Sequence, residues 1–363
     1  MKWSWKIGEV SGIGIYVHWT FLILILWILL IYFNASRQWA VALEGVGFVL
    51  AVFGCVVLHE LGHALTAKRF HIRTRDITLY PIGGMARLER MPEVPLQELW
   101  VALAGPAVNI AIAAILLGTL LLFGIPPTRP EAFVGGSFLN NLMWVNLILV
   151  AFNILPAFPM DGGRVLRALL ARKIPYVEAT QLAARIGQAM AILFGLMGLL
   201  YNPLLIFIAL FVFLGAQEEA RMVQMRSLFE GIPVRDAMIT HYCVLDENMP
   251  LSVAVEELLA GSQEDFPVTT GGEISGVLTR ADLLRALARG DREVRVGDVM
   301  RRDCQVVEDT EMLDGTFQRM REANCSTLPV VHAGKLVGVV TLENVGELIM
   351  IRSALRQSPT RRA

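Results

Sequence analysis

The amino-acid sequence predicts a polytopic α-helical membrane domain, with about six transmembrane helices, followed by a soluble α/β domain. Hydrophobic residues make up 55% of the 363 residues, and the mean hydropathy of +0.54 exceeds that of ordinary soluble proteins. Most of the apolar excess precedes residue 217, and charged residues of both signs recur from there onwards. We therefore expect a membrane domain over residues 1–220 and a soluble domain that begins near residue 231.

Six apolar stretches are long enough, or nearly long enough, to cross a bilayer. They are residues 19–33, 41–66, 99–123, 136–155, 184–200 and 203–216. A hydrocarbon core of about 30 Å needs about 20 helical residues, so the first and the last two stretches are short, and the count allows one pair more or fewer. No small-residue cleavage site follows the first stretch, so we do not expect a signal peptide.

Basic residues are distributed asymmetrically among the loops between these stretches. They precede the first stretch and fill the loops after the second and the fourth, whereas the opposite loops carry only Arg37 and Arg129. The positive-inside rule then places both termini and the soluble domain in the cytoplasm of a multi-pass protein of the cell membrane, plasma or inner. A net charge of −1, without a basic stripe, argues against nucleic acid as a partner.

The second apolar stretch carries two histidines with a glutamate between them, in the order His59, Glu60, Leu61, Gly62 and His63. On a helix, side chains at positions i and i+4 share one face about 6 Å apart, so both imidazoles can reach one Zn²⁺ ion. Glu60 is then placed to accept a proton from a water molecule at the metal. The alternative is a charged helix end whose histidines make ordinary hydrogen bonds. Ionisable groups are costly in a bilayer, which favours a functional interpretation.

A zinc ion held by two histidines requires a third protein ligand, and a carboxylate often supplies it. Asp161 is the candidate, because it follows a proline-rich break at the end of the fourth stretch and precedes two glycines that let the backbone bend. The ends of the second and fourth stretches lie on the same side of the membrane, so the three side chains can meet. The alternative for Asp161 is a helix N-cap, and the residues alone leave both open.

These motifs resemble those of the site-2 protease family of intramembrane zinc metalloproteases, over residues 12–215. The resemblance implies that His59, His63 and Asp161 bind one zinc ion per chain and that Glu60 is the catalytic acid/base. The family's second motif, an Asn-x-x-Pro segment that ends in Asp-Gly, corresponds to residues 153–162. The implied reaction is hydrolysis of peptide bonds in single-span membrane proteins, within membrane lipid and close to the cytosolic side.

Apolar and polar residues alternate over residues 74–88, around Gly83 and Gly84. The alternation predicts a hairpin whose exposed edge could pair with an extended substrate, and the segment resembles the family's Gly-Gly hairpin. A plain surface loop is the alternative. Asn153 is a further candidate for substrate binding, through the substrate backbone or an oxyanion, or else it joins two helices by a hydrogen bond. Residues 104–109 resemble the family's signature in its third span.

The soluble region contains a repeat of about 60 residues. Residues 232–238 recur as 294–300, and residues 266–268 and 276–282 recur as 328–330 and 338–344. The pattern predicts short strands that alternate with amphipathic helices. It resembles a pair of CBS motifs, with the first over residues 231–290 and the second over residues 291–352.

Pairs of CBS motifs commonly bind adenine nucleotides. The resemblance assigns ribose or phosphate contacts to Thr279 and Asp282 in the first repeat and to Thr341 in the second. Asn344 replaces the expected aspartate in the second repeat, which weakens one of the two sites. Lys and Arg are not concentrated near these positions in the sequence, so the number of phosphates stays open. The alternative is a CBS pair that serves only to form a homodimer.

The interpretation that uses all of these features is an intramembrane zinc endopeptidase of regulated intramembrane proteolysis, modulated by its cytosolic CBS pair. A CBS-gated transporter or channel, with buried His and Asp residues along an ion path, is the alternative. It treats the zinc motif as accidental, and no clear inverted hydropathy repeat supports it. A catalytically inactive binding protein is disfavoured because Glu60 and all three expected ligands are present.

Overall fold

The computed structural model describes residues 3–88, 92, 94–128, 137–229, 231–290, 294–303, 305–323 and 325–357. The chain divides into two compact units, Met1–Val223 and Gln224–Ala363. The first unit holds the helices predicted to span the membrane, and the second unit holds the internal repeat.

Within its described residues, the first unit is built on helices, most of them long and apolar. They are α1 (Trp19–Ser36), α2 (Trp39–Arg69), α3 (Pro95–Leu122), α4 (Phe138–Asn153), α5 (Asp161–Leu170), α6 (Tyr176–Leu200) and α7 (Leu204–Phe229). Each of the six predicted stretches overlaps one of these helices. By length and composition, four described helices, α1, α2, α3 and α6, qualify as spans, whereas α4 is shorter. In α7 the apolar part is followed by Glu218 and Glu219.

A four-stranded sheet packs against α2. Its strands lie in the order β1 (Ser4–Val10), β2 (Ile13–His18), β3 (Thr74–Tyr80) and β4 (Gly83–Leu88), with β2 and β3 parallel and the outer pairs antiparallel. The β3–β4 hairpin confirms the prediction from the alternating residues, whereas β1 and β2 were not predicted. Ile13 and Ile77 are buried against Leu61 and Ala64 of α2. The sheet therefore lies directly beside the helix that carries the histidine motif.

Helices α2 and α3 approach each other closely at Gly62. A Cβ atom at this position would lie 2.8 Å from Cγ2 of Val108 and 2.9 Å from the carbonyl oxygen of Ala104. Small residues at helix crossings in membranes let backbones approach in this way. The glycine inside the histidine motif therefore sets the distance between the two helices.

The second unit consists of two copies of one strand-and-helix pattern, as predicted. The first copy contains β5 (Leu245–Asp246), α8 (Leu251–Ala260), β6 (Phe266–Thr270), β7 (Glu273–Leu278) and α9 (Arg280–Ala288). The second copy contains α10 (Val296–Val299), β8 (Val307–Glu308), α11 (Leu313–Glu322), β9 (Thr327–His332), β10 (Lys335–Thr341) and α12 (Leu342–Gln357). Val268 and Val330 occupy equivalent positions in the two apolar cores.

The segment that leads into each copy pairs with a strand of the other copy. Ile239 of the first copy pairs with Val339 of the second, and Arg301, at the repeat position of Ile239, pairs with Val277 of the first. A Cβ atom at Gly276 would lie 2.3 Å from the carbonyl oxygen of Arg301, so glycine is needed for this approach. The copies therefore form one interlocked α/β unit rather than two domains in series.

Candidate active site

Two histidines and one aspartate meet in the interior of the first unit. His59 and His63 lie one turn apart on α2, and Asp161 is the first residue of α5. The two Nε2 atoms are 3.1 Å apart, and each lies 3.2 Å from Oδ2 of Asp161. All three side chains are buried. The structure thus brings together the three residues predicted as metal ligands, from helices that are far apart in the sequence.

The facing atoms have the chemistry and the spacing of a zinc site. Nδ1 of His63 lies 2.7 Å from the carbonyl oxygen of Val101, so a proton on Nδ1 donates to that oxygen and leaves Nε2 as an acceptor. Oδ2 of Asp161 is buried, and no hydrogen-bond partner for it is found in the described part of the chain. Nε2 of His63 and Oδ2 of Asp161 are acceptors close to one another, which favours a cation between them, and the ligand atoms of a tetrahedral zinc ion lie roughly 3.3–3.4 Å apart. The group therefore fits Zn²⁺.

Helix α3 passes so close to the histidine pair that only glycine fits at position 105. A Cβ atom there would lie 2.2 Å from Nε2 of His63 and 2.7 Å from Cε1 of His59. Both distances are well inside van der Waals contact, so any side chain at Gly105 would displace the imidazoles. Residues 104–109 resemble the family's third-span signature, but neither Gly105 nor the Val101 carbonyl was predicted to take part in the site.

Glu60 lies beside the strand β4. It is half-buried, and a Cβ atom at Gly84 would lie 2.9 Å from its Cγ atom. In the described sheet, β4 is an edge strand, with β3 as its one neighbour. Gly83 begins β4 with a φ of +141°, which side chains rarely adopt, and Ile82 before it is 90% exposed. The hairpin predicted to bind substrate is therefore adjacent to the predicted catalytic carboxylate.

Asp161 follows a tight break after α4. A Cβ atom at Gly162 would lie 2.2 Å from the carbonyl oxygen of Leu155, so this glycine lets α5 begin against the end of α4. The N-cap of α5 is Met160, which rules out the N-cap role that the residues had left open for Asp161. Asn153, predicted to bind substrate, is the half-buried last residue of α4, and no described hydrogen bond joins it to Asp161.

A cavity of about 670 Å³ lies between the two copies in the second unit. Three arginines from different segments line it, namely Arg280, Arg301 and Arg321. These arginines come together only in the folded unit, so their meeting could not be read from the local sequence, and Glu264 and Asp265 line the same cavity. Of the predicted nucleotide contacts, Thr279 lines the cavity, whereas Thr341 is not among its described lining residues.

Asp282 is buried beside Thr279 and already has three partners. Thr279 Oγ1 donates to its carboxylate at 2.6 Å, Arg301 Nε at 2.9 Å and Arg285 Nη1 at 2.8 Å. Burial raises the pKa of the Asp282 carboxyl, but the Thr279 hydrogen bond and the Arg301 charge outweigh burial, so the pKa lies below its ordinary value. At the equivalent position of the second copy, Asn344 donates through Nδ2 to a backbone carbonyl instead.

Both units match known protein families. Residues 47–134 and 131–194 match peptidase family M50, and residues 234–289 and 296–350 match the CBS domain. The chain is 34% identical to zinc metalloprotease MJ0392 of Methanocaldococcus jannaschii over 347 residues, which cover 95% of this chain and 96% of that protein. The chain belongs to peptidase family M50.

Two further relatives of this M50 peptidase each match 60% of the chain. Stage IV sporulation protein FB of Bacillus subtilis is 29% identical over 225 residues, which cover 73% of that protein. The solved site-2 protease of Methanocaldococcus jannaschii is 38% identical, and the match covers 95% of that chain with a TM-score of 0.44.

Membership of family M50 makes this chain a zinc metalloprotease of the site-2 protease type with a C-terminal CBS pair. The predictions of family, fold class and enzyme class are confirmed. His59, His63 and Asp161 form a described cluster that fits the ion the family uses. The transporter or channel alternative loses its support, because it required the zinc motif to be accidental.

Proposed function

We propose that this M50 peptidase hydrolyses peptide bonds within or next to the transmembrane segments of single-span membrane proteins, in regulated intramembrane proteolysis. The observation that carries the proposal is the meeting of His59, His63 and Asp161 in the interior, with Glu60 on the same helix as the histidines. That helix, α2, has 31 residues and is apolar enough to span a membrane. His59, Glu60 and His63 therefore lie on a helix that can span a membrane, which supports hydrolysis within or next to the bilayer.

The residues around the cluster support a hydrolytic mechanism. His59, His63 and Asp161 would hold the zinc ion, which when bound supplies Lewis-acid polarisation of a peptide carbonyl and acidifies water. Glu60 accepts a proton from the attacking water and transfers it to the leaving amide nitrogen. The Val101 carbonyl retains the Nδ1 proton of His63, which directs Nε2 towards the metal position.

The substrate enters, in this proposal, as an extended strand beside β4. Edge strands bind extended peptides through main-chain hydrogen bonds, and Gly83 and Gly84 keep this edge free of bulky side chains next to Glu60. Asn153 offers a polar group for the substrate backbone or an oxyanion. A transmembrane helix must unwind before its carbonyl is accessible, so residues that destabilise helices are expected near the cleaved bond.

The test is cleavage of a tagged single-span reporter by purified full-length protein in liposomes with zinc. Glu60→Gln removes the base and keeps the ligands, and we expect it to abolish the fragment made by the wild type. Glu44→Gln is the matched control, because Glu44 is an exposed residue on the same helix. Cleavage by Glu60→Gln at the wild-type rate would rule out this mechanism. Equal cleavage of a Leu-rich reporter and of one that contains Gly, Pro and Asn would rule out the unwinding requirement.

We further propose that both termini and the CBS pair face the cytoplasm. The last turn of α2 carries Lys68 and Arg69, and the metal cluster lies nearer this end of the helix than the other. Labelling of single cysteines placed in the second unit, in intact cells, measures its side. Labelling by an impermeant reagent without permeabilisation would reverse the proposed orientation.

The CBS pair, in this proposal, binds an adenine nucleotide that modulates proteolysis. A cavity of about 670 Å³ is in the range of small-ligand sites, and Arg280, Arg301 and Arg321 line it together with Glu264 and Asp265. Arg280 pairs with Glu264 and Arg301 with Asp282, so a phosphate group would compete with these carboxylates for the arginines. Calorimetric titration of the full-length protein with ATP and with AMP tests the binding. Arg280→Gln should weaken it about tenfold, and Arg289→Gln, at an exposed position outside the cavity lining, should not. Absence of binding, with a concentration-dependent dimer through the second unit, would favour a homodimer module instead.

A further inference from the structure

Arg167 is a fully buried cation on α5. Its Nε and Nη2 atoms lie 2.7 and 2.5 Å from Oε1 of Glu98, and its Nη1 atom lies 2.6 Å from Oε1 of Glu219. The rings of Phe158 and Tyr176 are centred 5.0 and 4.9 Å from its Cζ atom. One side chain therefore contacts α3, α6, α7 and the segment before α5.

The contacts of Arg167 adjoin both halves of the metal site. Arg167 shares α5, a helix of 10 residues, with Asp161. Glu98 precedes Val101 by about one turn on α3, and the Val101 carbonyl holds the imidazole of His63. A displacement of α5 relative to α3 would therefore change the distance between the Asp161 carboxylate and the imidazoles.

Glu219 adds α7 to this arrangement. Helix α7 packs along the segment that leads into α5, because a Cβ atom at Gly215 would lie 2.6 Å from Cδ of Pro159, and Ala216 is buried with Phe158. Glu219 follows about one turn later, on the same face of the helix. Helix α7 therefore packs its small residues against the segment before α5, and it contacts α5 itself through the Glu219 carboxylate.

The position of the Arg167 guanidinium depends on two carboxylates, those of Glu98 and Glu219. Arg167 and Glu98 are 0% and 1% exposed, whereas Glu219 is partly exposed. A buried charge is stable only where it is paired, and the planar guanidinium is held in one orientation by partners on two sides. Loss of the Glu219 charge would leave Nη1 without this partner, so the guanidinium would be held from the Glu98 side alone and α5 could change its position relative to α7. Lysine would keep the charge but not the two-sided contact.

We propose that Arg167 is a positioning residue of the metal site, and that Glu219 is the contact through which α7 fixes the position of Asp161. The pair does not touch the reacting atoms and acts through the placement of α5. This inference rests on the zinc site of the proposed function and is independent of the substrate.

The test compares metal binding by full-length variants in detergent. Zinc affinity is measured by competition with a chelator, and the visible absorption of bound Co²⁺ reports the number and geometry of the ligands. We expect Arg167→Lys and Glu219→Gln each to weaken zinc binding by about tenfold and to change the cobalt absorption, at a temperature where circular dichroism shows a folded protein.

Glu218→Gln is the matched control. It makes the same chemical change at the neighbouring residue, whose side chain is 65% exposed and pairs with Arg221 at 3.3 Å. It should keep the wild-type affinity and spectrum. Wild-type metal binding in both Arg167→Lys and Glu219→Gln, even with a lower melting temperature, would show that the network supports only the fold and would overturn the proposal. If either variant does not fold, Glu219→Asp, which keeps the charge and shortens the side chain, should give an intermediate affinity, and an unchanged one would overturn the proposal.

The outcomes separate this inference from the proposed proteolysis. A wild type that binds cobalt but cleaves no reporter, with weakened binding in the variants, would support the role of Arg167 and remove the endopeptidase proposal. A wild type that cleaves reporters, with variants unchanged in metal binding, would support the endopeptidase proposal and remove the role of Arg167.

Discussion

Two buried carboxylates, Asp161 at the metal site of the first unit and Asp282 beside the cavity of the second unit, differ in the hydrogen-bond donors that surround them. Oδ2 of Asp161 faces two imidazole nitrogens, and no hydrogen-bond donor to it is found among the described residues. Asp282 accepts hydrogen bonds from Thr279, Arg285 and Arg301. A buried acceptor without a donor is costly, whereas a saturated carboxylate is stable alone. The Asp161 carboxylate is therefore suited to binding a cation, whereas the Asp282 carboxylate is stable without a ligand.

Gly105→Ala should disrupt the metal site and have the largest effect of these variants. The new methyl group would lie 2.2 Å from Nε2 of His63, so the imidazoles must move. We expect zinc affinity and cleavage to fall by about 100-fold or more, measured by chelator competition and the reporter assay. Gly118→Ala is the control, because nothing lies within 4 Å of a Cβ atom at this other position on α3. Retention of zinc by Gly105→Ala would contradict the close approach of α3.

Gly84→Ala should reduce cleavage and leave metal binding intact. A Cβ atom there would lie 2.9 Å from Cγ of Glu60, so either the carboxylate or β4 must shift. We expect the cleavage rate to fall by about tenfold, since misplacement of a catalytic group by a fraction of an ångström reduces proton transfer. Gly8→Ala, on β1 of the same sheet with open space at its Cβ, is the control. Loss of zinc by Gly84→Ala would mean that the hairpin supports the ligands rather than Glu60.

Asp282→Asn should weaken the second unit and leave the metal site unchanged. The variant keeps the shape but removes the charge paired with Arg285 and Arg301, so we expect a loss of about 1–2 kcal/mol in the free energy of unfolding of this unit. Hydrogen exchange of the second unit in the full-length protein measures it. Asp314→Asn, at an exposed position in the same unit, should have little effect. A loss of zinc affinity in Asp282→Asn would contradict the comparison.

The smallest expected effect is the contribution of Asp282 to the pH dependence of the stability of the second unit. The pKa of Asp282 is lowered in the folded state, so the folded state binds this proton less readily than the unfolded state. The stabilisation is therefore present above the unfolded pKa of about 3.9 and is lost as the pH falls through the folded pKa. Unfolding of the second unit between pH 6 and pH 3 should show a shallower dependence in Asp282→Asn than in the wild type. Identical profiles would remove Asp282 as a source of acid sensitivity.

The residues that meet at the candidate metal site could be predicted from the sequence because their types and spacing are distinctive. His59, Glu60 and His63 repeat with the period of a helix, and Asp161 stands at a break where a ligand can turn inwards. The β3–β4 hairpin was predicted from two-residue alternation, which is a local property. β1 and β2 were missed because alternation around Ile13 and Ile15 is interrupted by Gly14 and runs directly into an apolar helix.

The residues that support the metal site could not be predicted, because their roles depend on contacts between helices that are distant in the sequence. Gly105 matters through its distance from the imidazoles on α2, and Arg167 through carboxylates on α3 and α7. In the sequence, Arg167 is one of several arginines in a basic loop, with no period or motif that marks it as buried. The arginines of the cavity converge from segments that are distant in the chain, so a search for local charge clusters does not find them.

The contact between Asp265 and Thr327 joins equivalent positions of the two repeats that carry different residues. Each residue directly precedes the apolar-Pro-Val segment of its own repeat, so they are equivalent positions, and Thr327 Oγ1 donates to Asp265 Oδ2 at 2.6 Å. In two identical repeats related by a two-fold axis, aspartate would face aspartate, and like charges at that distance repel. A second aspartate at position 327 would therefore be unfavourable beside Asp265, so the two repeats are not interchangeable at this position.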